Sequence, residues 1–193
     1  MASQVPSKTK STTTYIGLLR GINVGGHNRV PMADLRLLGA ELGWREVQTY
    51  IQSGNLVFAA NDPATIVERQ LESAIEQRFQ LQIPVVVRTA AAWANCAAGN
   101  PFANEVRSDP NHVLLALSKR PPRAGAEGDL QARAADGERV VQAGDGLWIY
   151  FPAGIGKSKL TPALLERLVG SPVTARNWLT VLKLCELARA HSP

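Results

Sequence analysis

Two glycine-bearing, basic stretches carry the residue types most capable of chemistry. The first runs over 20–31 and contains Gly21, Gly25 and Gly26, three glycines in six positions, with Arg20, Asn23, His27, Asn28 and Arg29 around them. Closely spaced glycines let backbone N–H groups converge, and a helix is expected to start at its far end. Convergent amides plus a helix dipole make an anion site. Arg20, His27 and Arg29 would add charge-assisted bonds to a phosphate or carboxylate, and Asn23 and Asn28 amide contacts. The competing reading is architectural: the glycines serve tight turns and the asparagines supply left-handed backbone.

The second stretch, 154–159, carries Gly154, Gly156, Lys157, Ser158 and Lys159. It is not a P-loop, because that motif needs a glycine where Phe151 stands. A weaker anion-binding loop with Lys157, Ser158 and Lys159 remains open beside a plain solvated turn. Arg176 is a further candidate ligand-binding residue.

Other chemistries have less support. The three histidines, His27, His112 and His191, have no metal-ligand spacing, and no metal or cofactor is implied. His27 has no carboxylate close in sequence to orient it as an acid or base. Of the two cysteines, Cys185 falls on an apolar helix face and Cys96 lacks a basic neighbour in its helix, so neither reads as a nucleophile. No catalytic residue is assigned.

The chain that must position these loops has 193 residues, 45% of them hydrophobic, enough for a real core. Its net charge of +5 favours an anionic partner without naming it. No apolar run approaches the roughly 20 residues that span a bilayer, and 1–14 lacks the apolar segment of a secretory signal. The expectation is a cytoplasmic protein with no membrane role, a disordered tail over 1–13 and an undetermined oligomeric state.

Apolar runs and turn residues predict strands over 15–19, 47–52, 56–60 and 84–88. Helical spacing fits 32–42 and the segment after Asp62, whose side chain is expected to cap it. A short alanine-rich helix over 90–98 leads to a breaker at Gly99. The second half repeats the order. Strands are expected over 112–117, 139–142, 147–151 and 172–175, with a weak helix within 121–133. Thr161 caps a helix, and Asn177 caps a final one.

The fold class is therefore α+β: two ferredoxin-like βαββαβ repeats, over 14–99 and 100–193, joined by a short helix and followed by an extra C-terminal helix. The two central strands of each unit are expected to run parallel. Loops leaving their C-terminal ends would then share an edge. If those edges meet, Arg20 and the 154–159 loop form one cationic cleft, with Gln52, Ser53, Asn55, Arg176 and Asn177 at the opposite edges.

Four stretches carry a family resemblance: LLRGINVGGHNRVPM at 18–32, TYIQSGN at 49–55, GIGKSKLT at 154–161 and TARNW at 174–178. They resemble signatures of the bacterial family known as domain of unknown function 1697, from about residue 15 to 188. The resemblance supports the fold and implies no activity.

Three functions remain open. One is binding of an anionic or phosphorylated ligand, a nucleotide or RNA, with strand aromatics Tyr15, Tyr50, Phe58 and Tyr150 as stacking surfaces if a sheet face is free. Another is an enzyme for a small anionic substrate, with His27 or Arg20 near the reacting group. The last is an interaction module with no ligand.

Overall fold

The computed structural model describes residues 12–191, so the tail expected over 1–13 lies almost wholly outside the described residues. The first half runs β1 (Thr13–Leu19), α1 (Met32–Glu41), β2 (Arg45–Tyr50), β3 (Asn55–Ala60), α2 (Ala64–Phe79) and β4 (Val85–Thr89). Helices α3 (Ala90–Ala98) and α4 (Glu105–Ser108) connect to β5 (Val113–Ser118), α5 (Ala126–Gln131), β6 (Arg139–Ala143), β7 (Gly146–Tyr150), α6 (Pro162–Val169), β8 (Val173–Asn177) and α7 (Trp178–Ala190). The strands form two four-stranded sheets, β2-β3-β1-β4 and β6-β7-β5-β8, the ferredoxin-like order in both halves.

The strands alternate between two cores, as a period of two residues requires. Tyr15 and Leu19 of β1, Leu56 and Phe58 of β3, and Val85 and Val87 of β4 pack on one core with residues of α1 and α2. Leu114 and Ala116 of β5 and Leu147 and Ile149 of β7 pack on another with Leu165 and Val169 of α6. The intervening residues, Ile16, Leu18, Val57 and Val86 from one sheet and Val113, Leu115, Leu117 and Trp148 from the other, share a third core with α3 and α7. Both faces of both sheets are thereby covered. Tyr15 and Phe58 are buried, and Tyr50 and Tyr150 pack against the shared core. Tyr15 and Phe58 are thereby closed to base stacking, while Tyr50 and Tyr150 are half-buried.

Two expectations are corrected. Within each sheet the central strands run antiparallel: β1 against β3 with Leu18 opposite Asn55, and β5 against β7 with Val113 opposite Tyr150. The C-terminal end of β1 therefore lies beside the start of β3, and Ser53 and Asn55 share the Arg20 edge instead of facing away. In the second sheet Asn177 pairs with Leu114 near the start of β5, which puts Arg176 and Asn177 on the edge from which the 154–159 loop leaves β7. The other correction concerns α2. Its N-cap position is Pro63, with no side-chain cap, and Asp62 Oδ2 accepts from Gln70 Nε2 at 3.2 Å. The caps on the later helices form as expected. Thr161 accepts from Leu164 N, and Asn177 accepts from Thr180 N.

Charged groups tie the halves together. Arg88 Nε donates to Asp145 Oδ2 at 2.6 Å, and Lys119 pairs with Glu72. Cys96 donates to the same Asp145 at 3.2 Å, and burial pushes its thiol up to about 12. It therefore stays a thiol at neutral pH and is no nucleophile.

Candidate functional site

The first loop is wired mainly to itself. Gly21, Asn23, Gly25, Gly26 and Asn28 all have positive φ, between 49° and 81°. Asn23 Oδ1 accepts from Val30 N at 2.9 Å, and its Nδ2 donates to Val30 O at 3.0 Å and Gln52 O at 2.8 Å. Asn28 Nδ2 donates to Gly21 O at 3.0 Å. The amides of Asn23 and His27 donate to Asn28 O and Val24 O. Both asparagines thus close the loop. Gly25, Gly26, His27 and Arg29 are exposed at its tip and base. His27 has no carboxylate partner among the described residues.

The second loop is braced from beneath. Ser158 Oγ donates to Glu138 Oε1 and accepts from Leu160 N at 3.0 Å. Glu138 is buried and also accepts from the amides of Ala135 and Asp136. The Ser158 bond, then these amides, hold its carboxyl below the usual range. Lys157 and Lys159 are exposed and have no ion pair among the described residues. Ser158 therefore spends its hydroxyl on structure, while the two lysines point charge outward.

Arg176 joins the two halves. It is 8% exposed. Its Nε donates to Asn55 Oδ1; one terminal nitrogen donates to Thr174 Oγ1 at 2.7 Å and Ala175 O at 2.8 Å; the other donates to Leu19 O at 3.1 Å and Ser53 O at 2.9 Å. All five guanidinium N–H groups are thus engaged, every one with a neutral acceptor. No carboxylate pairs with it among the described residues. Burial lowers its pKa to about 10, so the group is still a cation at neutral pH.

Arg176 also lines a cavity of about 300 Å³ that both halves build. Arg20 and Gly21 come from the first half; Leu114, Ile149, Phe151, Ile155, Leu160 and Leu165 form apolar walls from the second. Arg20 is fixed by Glu166 of α6: its Nε pairs with Oε1, and a terminal nitrogen donates to Oε2 at 2.7 Å. Glu166 Oε1 also accepts from Val173 N at 3.0 Å. An apolar cavity with a few converging polar groups is the usual form of a small-ligand site. The structure thus brings Arg20 and Arg176 to one cavity. It leaves His27, Arg29, Lys157 and Lys159 on outer surfaces, Arg29 beside Arg36 and Gln52 at the start of α1.

Two pairings were not singled out by sequence reasoning, one at the cavity and one outside it. Glu166 lies 146 residues from Arg20, so no local signal announces the pair. His112 Nδ1 lies 2.6 Å from Asp109 Oδ2, a contact three residues apart and therefore readable in sequence as a local acid–imidazole pair. Among the described residues no group of three or more metal-ligating side chains exists. No helix among them is long and apolar enough to cross a membrane.

A family model described as "Protein of unknown function (DUF1697)" matches residues 12–148. The match ends before the GIGKSKLT and TARNW stretches. No curated protein matches the chain. Among solved structures, the conserved bacterial protein SP0830 from Streptococcus pneumoniae is similar over 92% of this chain and 99% of its own, at 22% identity and a TM-score of 0.73. At that identity the likeness concerns the fold alone.

Proposed function

Since the chain belongs to the DUF1697 family of proteins of unknown function, a description that carries no activity, we propose from its geometry that it binds an anionic ligand in the cavity between its halves. The observation that supports this reading is the pairing of a buried, carboxylate-free Arg176 with Arg20 on one cavity. A cation withdrawn from water is costly unless an opposite charge or good hydrogen bonds compensate it. Neutral acceptors satisfy the N–H groups of Arg176 but leave its net charge standing. Arg20 offers the direct contact. Glu166 takes the edge formed by Nε and one terminal nitrogen. The other terminal nitrogen has no acceptor among the described residues, which leaves donors for a bidentate or end-on anion.

Titration calorimetry of the full chain with inorganic phosphate, adenosine monophosphate and simple carboxylates tests the reading. Whichever anion binds is expected to weaken as salt rises, since both ions are screened outside the protein. Arg20→Gln is expected to lose roughly tenfold to a hundredfold in affinity, the range of a charge-assisted hydrogen bond. Arg29→Ala is expected to leave affinity within about twofold, because a surface charge contributes little. Binding that survives Arg20→Gln and disappears with Arg29→Ala would move the site to the outer surface of the first loop.

A further inference from the structure

We infer that the guest of this cavity is a small amphipathic monoanion, an apolar-bodied carboxylate rather than a nucleotide or free phosphate. The inference rests on the anion-binding reading above and narrows it. Its first support is the wall. Leu114, Ile149, Phe151, Leu160 and Leu165 line the cavity together with the arginines, and all five belong to the buried core under the second sheet. A ribose, a base edge or a second phosphate placed there would lose its hydrogen bonds to water without replacement. An alkyl or aryl body would instead gain by leaving water.

The second support is charge. Arg20 and Arg176 line the cavity, and Glu166 is the carboxylate bound to one of them. Two positive charges and one negative leave a single positive charge for a guest to neutralise. A monocarboxylate does so; a phosphate dianion would leave an excess negative charge facing apolar walls. The third support is size. A cavity of about 300 Å³ stands at the small end of ligand pockets, which suits a short acid and not a dinucleotide or an RNA strand.

These features assign the parts. The carboxylate meets the free terminal nitrogen of Arg20, with the field of Arg176 behind it. Glu166 is a positioning residue that fixes the guanidinium plane. The chain body lies over Phe151 and Leu160. Ile155, 49% exposed, stands at the rim.

The test titrates the full chain with butyrate, hexanoate and octanoate, and with 1-octanol, inorganic phosphate and adenosine monophosphate. Affinity is expected to rise roughly fourfold per added methylene along the acid series, from the transfer free energy of each group. The alcohol is expected to bind at least about tenfold more weakly than octanoate, for want of a charge-assisted bond. Ile155→Asp, an exposed change that leaves the core intact, is expected to weaken octanoate roughly tenfold by placing a like charge at the rim. Phosphate or the nucleotide binding through Arg20 while the acids do not would overturn the amphipathic guest and leave the anion site standing. Binding of none of these anions would overturn both. Equal affinity for octanol and octanoate, or no dependence on chain length, would overturn the assignment of head and body.

Discussion

Arg176→Ala is expected to lower the free energy of unfolding by about 3 kcal/mol, the cost of leaving several buried acceptors without a donor. Leu19 O, Ser53 O and Asn55 Oδ1 belong to the first half, and Thr174 Oγ1 and Ala175 O to the second. One side chain thus fastens β1 and the β2–β3 turn to the edge of the other sheet. Removing the cation also removes its desolvation penalty, which keeps the net loss below the sum of five bonds. Arg176→Lys is expected to recover less than half of the stability. An ammonium has three donors on a single atom and cannot span five acceptors held in a planar fork. Urea unfolding followed by tryptophan fluorescence checks both variants. A loss below about 1 kcal/mol for the alanine variant would show that Arg176 adds little to what the shared core and the other ion pairs between the halves already supply.

Gly54→Ala is expected to cost about 2–4 kcal/mol, combining a left-handed backbone with overpacking. Gly54 has φ +74°, and a Cβ there would lie 2.6 Å from Ile22 Cδ1 and 2.7 Å from Leu19 Cβ. The isoleucine tip can swing aside, but Leu19 Cβ cannot, because Leu19 N donates to Gly54 O at 2.8 Å and holds the two backbones together. Gly26 supplies the contrast. Its φ is +81°, yet nothing lies within 4 Å of an added Cβ. Gly26→Ala is therefore expected to cost only about 1 kcal/mol, the conformational part. Thermal unfolding of the two variants side by side separates crowding from backbone strain. Equal losses would mean that the turn at Gly54 relaxes freely, and the close approach of β1 to it would then carry no stability.

The elements were legible in the sequence wherever the signal is local. Thr161 before Pro162 and Asn177 before Trp178 mark helix starts because a capping side chain reaches only three residues onward. The apolar runs gave the strands, although their alternation was hidden: with both sheet faces buried, 15–19 and 113–117 carry no polar residue to betray the period. Asp62 misled because aspartate before proline is a common helix opening, whereas here the chain enters α2 one residue later, through Pro63.

The site was legible only in fragments. The glycines and asparagines at 21–28 were conspicuous, and their positive φ values match the turn chemistry that such residues allow. What sequence could not reveal is that Asn23 spends its side chain on Val30 and Gln52. Nor could it reveal that Arg176 reaches partners 121 to 157 residues away. Strand direction decided the rest. Assuming parallel central strands sent Ser53, Asn55 and Arg176 to the far edge, whereas antiparallel pairing of Leu18 with Asn55 gathers them around Leu19 and Arg20. Arg20 and Gly21 of one loop-bearing edge and Ile155 of the other do line one cavity, by a different strand geometry and with mostly apolar walls.

The most direct measurement is amide shift mapping of the uniformly labelled chain during titration with octanoate. The largest movements are expected at Gly21, Leu160 and Ala175, with the Arg20 side-chain Nε resonance shifting in parallel. Movements confined to Gly25, Gly26 and Arg29, with the amides around Arg20 and Arg176 unmoved, would contradict a guest seated between the halves.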